Sequence, residues 1–278
     1  MKTILVPIDF SECSRNSALY AMELAKLMKA KILLFHAYHL PIYNEDNPKI
    51  LFTETEIQES SNFQLDRLKL ELREGSPENK TVPIDCLSTA GNPVEEIRFQ
   101  ADTRKADLLV MGVPEESKIR RTFFGSVTTT VLKRTKRPII IVPQKATFKP
   151  LKKIAFAYDY LEAIGKSTMD ELKLFLKLFN ANLYVINVER PQERFTVQKA
   201  YSRGHLEQEL TEVDHSLVFP SNEDIVSGIL DFDDRHQVDM LVMIPRRHNF
   251  LHKILHSSKT EKVAFMSHIP LLALHEAG

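Results

Sequence analysis

Four apolar stretches of this chain recur, in order, at a nearly fixed distance. Residues 153–159 repeat the pattern of 3–9 after 150 positions, aspartate matching aspartate, and 181–186 repeat 30–35 after 151. Residues 238–243 follow 106–111 by 132, and 269–272 follow 137–140 by the same 132. The distance holds within each half of the repeat and falls by 19 between them, so the second copy is trimmed around its second helix. Repeats this long are domains, not solenoid units. The chain is therefore expected to hold one fold twice, in residues 1–145 and 151–278, with a short linker between.

The first copy shows which fold. Apolar runs at 2–8, 32–35, 82–87, 108–111 and 139–142 read as strands, and helical patterns lie between them. Ala18, Ala21, Met22, Ala25 and Met28 recur at helical spacing, as do Ile57, Leu65, Leu68 and Leu72. Asn92-Pro93 is a good helix start, with the asparagine as cap and proline in the first turn. Gly112 closes the fourth run, Gly125-Ser126 opens a helix, and Pro138 stops it. Strand and helix alternate throughout, which argues for a parallel sheet covered by helices.

Composition narrows the function classes. Lys+Arg and Asp+Glu are both 37, giving zero net charge, which argues against a nucleic-acid grip. No apolar run approaches the roughly 20 residues that span a bilayer, and the amino terminus carries no small-residue cleavage site. Cys13 and Cys86 form neither a disulfide framework nor a zinc spacing. A cytoplasmic protein without membrane or nucleic-acid partners is the expectation.

In an open parallel sheet the ligand crevice lies beyond the carboxyl ends of the strands that flank the switch point, here the first and fourth. Those ends are Pro7-Ile8-Asp9 and Met111-Gly112. Asp9 can accept hydrogen bonds from a ribose hydroxyl or a base amine. Gly125-Ser126, with Val127 and Thr128, presents backbone N–H groups and hydroxyls to an anion. Lys118, Arg120 and Arg121 could meet phosphate charge. Each feature alone is ordinary: a strand-end aspartate is often a turn residue, and Gly-Ser a plain helix start. Together they suggest a mononucleotide site. His248, His252 and His256 share a spacing of four, but no carboxylate or cysteine joins them, and no metal is expected. Lys133, Arg134, Lys136 and Arg137 suit the carboxyl end of a helix dipole.

The sequence resembles the universal stress protein family in its tandem, two-domain form. The family's nucleotide motif is Gly, two residues, Gly, nine residues, Gly, then Ser or Thr. Gly112 starts it, Glu115 stands at the second glycine, and Gly125-Ser126 close it. The opening L-V-P-I-D-F-S-E is also similar. The resemblance implies a flavodoxin-like fold, of the adenine nucleotide alpha hydrolase type: two open five-stranded parallel sheets in the order 3-2-1-4-5. It implies ATP or another adenine nucleotide, with or without Mg²⁺, with Pro7 and Asp9 near the adenosine and strand-two backbone near Ala37 lining the base pocket. Met111, Gly112, Gly125, Ser126, Val127 and Thr128 would lie along ribose and phosphates. It also implies an internal pseudo-dimer through the fifth strands, 139–142 and 271–274, with further dimerisation open.

Glu115 departs from the pattern, because a carboxylate beside a triphosphate is repulsive. The second copy departs further, with Ile244, Arg247, Ser257 and Ser258 at the four motif positions, so it is expected to bind no ATP in the family's way. No Walker motif, kinase signature or placed general base occurs. The chain therefore reads as a regulatory stress-response protein, at most a slow ATPase, whose occupied site would order the 113–124 loop and alter a surface for a protein partner. A nucleotide-free interaction scaffold with both sites decayed is the alternative.

Overall fold

The computed structural model describes residues 1–40, 53–114, 126–191, 196–245 and 269–276. It confirms the α/β class. The chain divides into two compact units; of the described residues the first holds 1–114 and 126–137, the second 138–276.

In the first unit the order is β1 (Thr3–Pro7), α1 (Glu12–Met28), β2 (Lys31–Tyr38), α2 (Glu54–Glu74), β3 (Ile84–Ala90), α3 (Pro93–Thr103), β4 (Leu108–Val113) and α4 (Ser126–Arg134). The strands are parallel in the order β3-β2-β1-β4. Ile4, Leu5 and Val6 of β1, and Leu108, Leu109 and Val110 of β4, are fully buried, as central strands covered on both faces should be. Gly112 does not end its strand as expected. It lies inside β4, and Val113 is the last residue.

The second unit carries β5 (Ile139–Pro143), β6 (Lys153–Ala157), α5 (Lys166–Phe179), β7 (Asn182–Ile186), α6 (Val197–Glu209), β8 (His215–Val218), α7 (Ile225–His236), β9 (Met240–Met243) and β10 (Leu271–Ala273). Strands β8-β7-β6-β9-β10 run parallel in the expected 3-2-1-4-5 order. The fifth strands do pair: β5 lies antiparallel to β10, with Ile139, Ile140 and Ile141 opposite Ala273, Leu272 and Leu271. Residues 139–142 are fully buried there, so β5 belongs to the compact unit of β10, and residues 145–150 fall inside that unit.

The repeat seen in the sequence is carried down to single backbone angles. Among the described residues, six non-glycine residues have positive φ: Phe10, Lys29, Lys105, Tyr160, Asn180 and Gln237. They form three pairs at the same offsets as the strands. Phe10 and Tyr160 follow the aspartate that lies two residues beyond β1 and β6. Lys29 and Asn180 cap the carboxyl ends of α1 and α5. Lys105 lies just beyond α3, and Gln237 caps α7. Asp107 Oδ2 accepts from the Thr3 backbone N–H at 2.8 Å, and Asp239 Oδ2 from that of Lys153 at 2.9 Å.

The left-handed positions lead to a graded prediction. Glycine loses no Cβ contact there but gives up more chain entropy. Lys29→Gly and Lys105→Gly should each raise stability by up to about 1 kcal/mol. Asn180→Gly should gain less, because asparagine already tolerates this conformation. Urea midpoints of the three variants would check the order.

Candidate functional site

A hollow opens beyond the carboxyl ends of β1, β2 and β4 in the first unit. It encloses about 580 Å³ of empty space, part of which is open solvent. Pro7, Ile8 and Asp9 come from β1 and the turn after it, Phe35 and Ala37 from one face of β2, and Met111 and Gly112 from β4. Helices close the sides: Cys13 and Ser14 from the first turn of α1, Pro93 and Ile97 one turn apart on α3, and Val127 and Thr128 from the start of α4.

Seven residues singled out in the sequence, Pro7, Asp9, Ala37, Met111, Gly112, Val127 and Thr128, thus line one hollow. Ser126 begins α4. Gly125, Glu115, Lys118, Arg120, Arg121, Arg247, Ser257, Ser258 and the three histidines 248, 252 and 256 lie outside the described residues. Sequence reasoning missed Cys13, Ser14, Phe35, Pro93 and Ile97. The signals were present: Phe35 shares the face of Ala37 by strand alternation, and Pro93 and Ile97 share a helix face at i, i+4.

Gly112 has a packing role in the fold. A Cβ at this position would run into the Cys13 carbonyl and lie 3.0 Å from the Ser14 nitrogen. The missing side chain lets the first turn of α1 seat on β4, and the pocket forms around that close approach. Thr128 Oγ1 then donates to the Gly112 carbonyl at 3.4 Å and ties α4 to the same spot.

Asp9 is exposed at the rim and is the only charged residue among those described as lining the hollow. Its Oδ1 accepts from the Ser11 backbone N–H at 3.0 Å and from Ser11 Oγ at 2.5 Å. Partial burial pushes its carboxyl up, but the bonds from Ser11 and Ser14 outweigh that and hold it below the ordinary carboxylate range. Because Ser11 spends its proton on Asp9, the Cys13 thiol, 3.0 Å from Ser11 Oγ, is the donor in that contact. Burial, helped by the Asp9 charge, pushes the Cys13 thiol up. It stays a neutral thiol near pH 7 and is no ready nucleophile. Among the described residues no three His, Cys, Asp or Glu side chains cluster as metal ligands. The hollow therefore offers apolar walls, two hydroxyls, an anionic acceptor and bare main chain at Gly112.

At the matching places in the second unit the side chains are larger. Ile8 becomes Tyr158, Ala37 becomes Val188 and Gly112 becomes Ile244, with exposures of 5%, 6% and 6%. Val188 presses on α7 so closely that a Cβ on Gly228 would lie 2.7 Å from its Cγ1. Helix α1 starts three residues after Asp9, whereas α5 starts seven after Asp159. With an isoleucine where β4 has Gly112, the helix start cannot come so near.

The model of the universal stress protein family matches residues 1–143. A universal stress protein of Thermus aquaticus is 30% identical over 141 residues, which is 51% of this chain and 98% of that protein. The crystal structure of a universal stress protein from Archaeoglobus fulgidus is similar over 99% of this chain and 98% of its own, with a TM-score of 0.68 and 18% identity, a likeness of fold. Another solved universal stress protein, in complex with cAMP, is 28% identical and matches 51% of this chain and 96% of its own, with a TM-score of 0.36.

Two substitutions test the geometry. Gly112→Ala should cost about 1–3 kcal/mol by overpacking, read from denaturant unfolding. Ser11→Ala should move the Asp9 carboxyl titration up toward the ordinary value, followed by NMR. A group with a lowered carboxyl titration stabilises the fold above its unfolded pKa and loses that contribution as pH falls through the folded value. The variant should accordingly keep less of its neutral-pH stability advantage over acid.

Proposed function

The chain belongs to the universal stress protein family, and on that premise we propose that its first unit binds an adenine nucleotide in a regulatory, non-metabolic role in the cytoplasm. The observation that carries this reading is the hollow bounded by Asp9 and Gly112 at the carboxyl ends of β1 and β4. Its apolar side, with Phe35, Ile97 and Met111, suits a purine face. The Asp9 carboxylate suits ribose hydroxyls, which can only be donors to it. The start of α4 suits phosphate through its unpaired backbone N–H groups. ATP, ADP and AMP are the candidates, with Mg²⁺ to offset charge. No described helix is long and apolar enough to cross a membrane.

The second unit has no such role in this reading. Tyr158, Val188 and Ile244 put larger buried side chains at the corresponding positions, and in this reading the unit serves as a structural partner. The same reasoning sharpens the rival reading of an interaction scaffold. Asp9 is already bonded within its own turn, and Gly112 already has a packing reason, so both residues have a use without any ligand.

Calorimetric titration separates the two. With Mg²⁺ present, the full chain should give saturable heat with at least one of ATP, ADP and AMP. No heat at millimolar nucleotide overturns the proposal in favour of the scaffold. Ala37→Val, which brings in the second unit's residue, should weaken binding about tenfold or more, equivalent to at least about 1.4 kcal/mol. Asp9→Ala should cost about 1.5–3 kcal/mol, the usual value of a hydrogen bond to a charged group.

A further inference from the structure

The turn that carries Asp9 is gripped from the neighbouring strand. His36 Nδ1 lies 2.6 Å from the Ile8 carbonyl. A carbonyl oxygen only accepts, so the imidazole Nδ1–H donates. The Ile8 backbone N–H is held as well, by the Phe35 carbonyl at 2.7 Å. One residue past Asp9, the chain leaves the sheet through Phe10 at φ 64°, a left-handed conformation that a residue with a Cβ adopts only at a cost. The Phe10 ring settles on His36, with centroids 4.6 Å apart. One side chain therefore touches the residue before Asp9 by hydrogen bond and the residue after it by ring contact.

The second unit uses the same device with a different residue. Asn187, 151 positions after His36, donates from Nδ2 to the Tyr158 carbonyl at 2.8 Å. The Tyr158 N–H is held by the Ile186 carbonyl at 3.0 Å, and Tyr160 has φ 56°. Asp159 Oδ1 accepts from the Leu161 N–H at 3.1 Å, as Asp9 Oδ1 does from Ser11. The clamp thus belongs to the turn itself, and an amide can replace the imidazole as donor.

We propose that His36 is a positioning residue for the pocket: it fixes the Ile8–Asp9 peptide plane and the Phe10 ring together, and so sets where the Asp9 carboxylate stands at the rim. His36 sits on the opposite face of β2 from Phe35 and Ala37, so it acts through the turn and not by touching a ligand. The part of this inference that concerns affinity rests on the nucleotide reading above; the part that concerns Asp9 does not.

The experiment compares wild type, His36→Asn and His36→Leu in the full chain. The first readout is the Asp9 carboxyl titration by NMR without ligand. The second is the Kd for ATP with Mg²⁺. His36→Leu should release the turn, loosen the Ser11 bonds and move the Asp9 titration upward, with ATP binding at least tenfold weaker. His36→Asn, copying position 187, should keep both near wild type. A purely structural role would lower stability in both variants without this split. An Asp9 titration in His36→Leu equal to wild type overturns the proposal, as does a His36→Asn variant that behaves like His36→Leu. Should wild type bind no ATP, the nucleotide reading falls, and the titration still decides the role of His36.

Discussion

The distance between α1 and β4 decides what the first unit can hold. Two backbones meet at Gly112 and Cys13 with no room for a Cβ between them. This contact brings the first turn of α1 over the end of the sheet and puts Cys13 and Ser14 on the wall of the hollow. It also leaves the Gly112 carbonyl for Thr128. The second unit shows the other outcome of the same geometry. Isoleucine at 244 is 6% exposed, and the helix begins later. A single Cβ cannot be squeezed into a packed interior without moving backbone, because protein cores are about as dense as organic crystals.

The architecture was readable because it rests on period and repetition. Strands buried on both faces appear as short continuous apolar runs, and the repeat located them twice. Helix α3 was legible to the residue, since its Asn92 cap and Pro93 leave a direct mark. Strand β3 was read as 82–87 and runs Ile84–Ala90, because Val82 and Pro83 continue the apolar run at its start while Ser88 and Thr89, which still pair with β2, break it at its end. The place of β5 in the unit of β10 could not be read from local pattern. A β-branched run pairs equally well on either side, and long-range packing makes the choice.

The site was legible where chemistry is concentrated and illegible where it depends on packing direction. Asp9 and Gly112 stood out by type and position at strand ends. Phe35, Pro93 and Ile97 did not, because apolar residues at helical or strand spacing are ordinarily core. Only the fold shows that these face a hollow instead. Gly112 carries a packing reason that the sequence does not show, because the Cys13 main chain that approaches it is far away along the chain.

The two units together separate what the fold requires from what a ligand would require. Both keep an aspartate after the first strand, a left-handed aromatic residue next to it, a side-chain donor on the carbonyl just before it, and a carboxylate under the first strand's start. These are present in both units whatever stands at the neighbouring positions, so they belong to the turn itself. The small residues at 37 and 112 and the isoleucine at 8 are not kept; they are replaced by Val188, Ile244 and Tyr158. A larger side chain gains buried apolar area at about 25 cal/mol per Å² wherever the backbone leaves room for it. At Gly112 the Cys13 main chain leaves none, so a side chain there costs stability by overpacking. The residue at that position and the place where the unit's first helix begins are therefore one choice: a glycine with the helix start close upon it in the first unit, an isoleucine with a later start in the second.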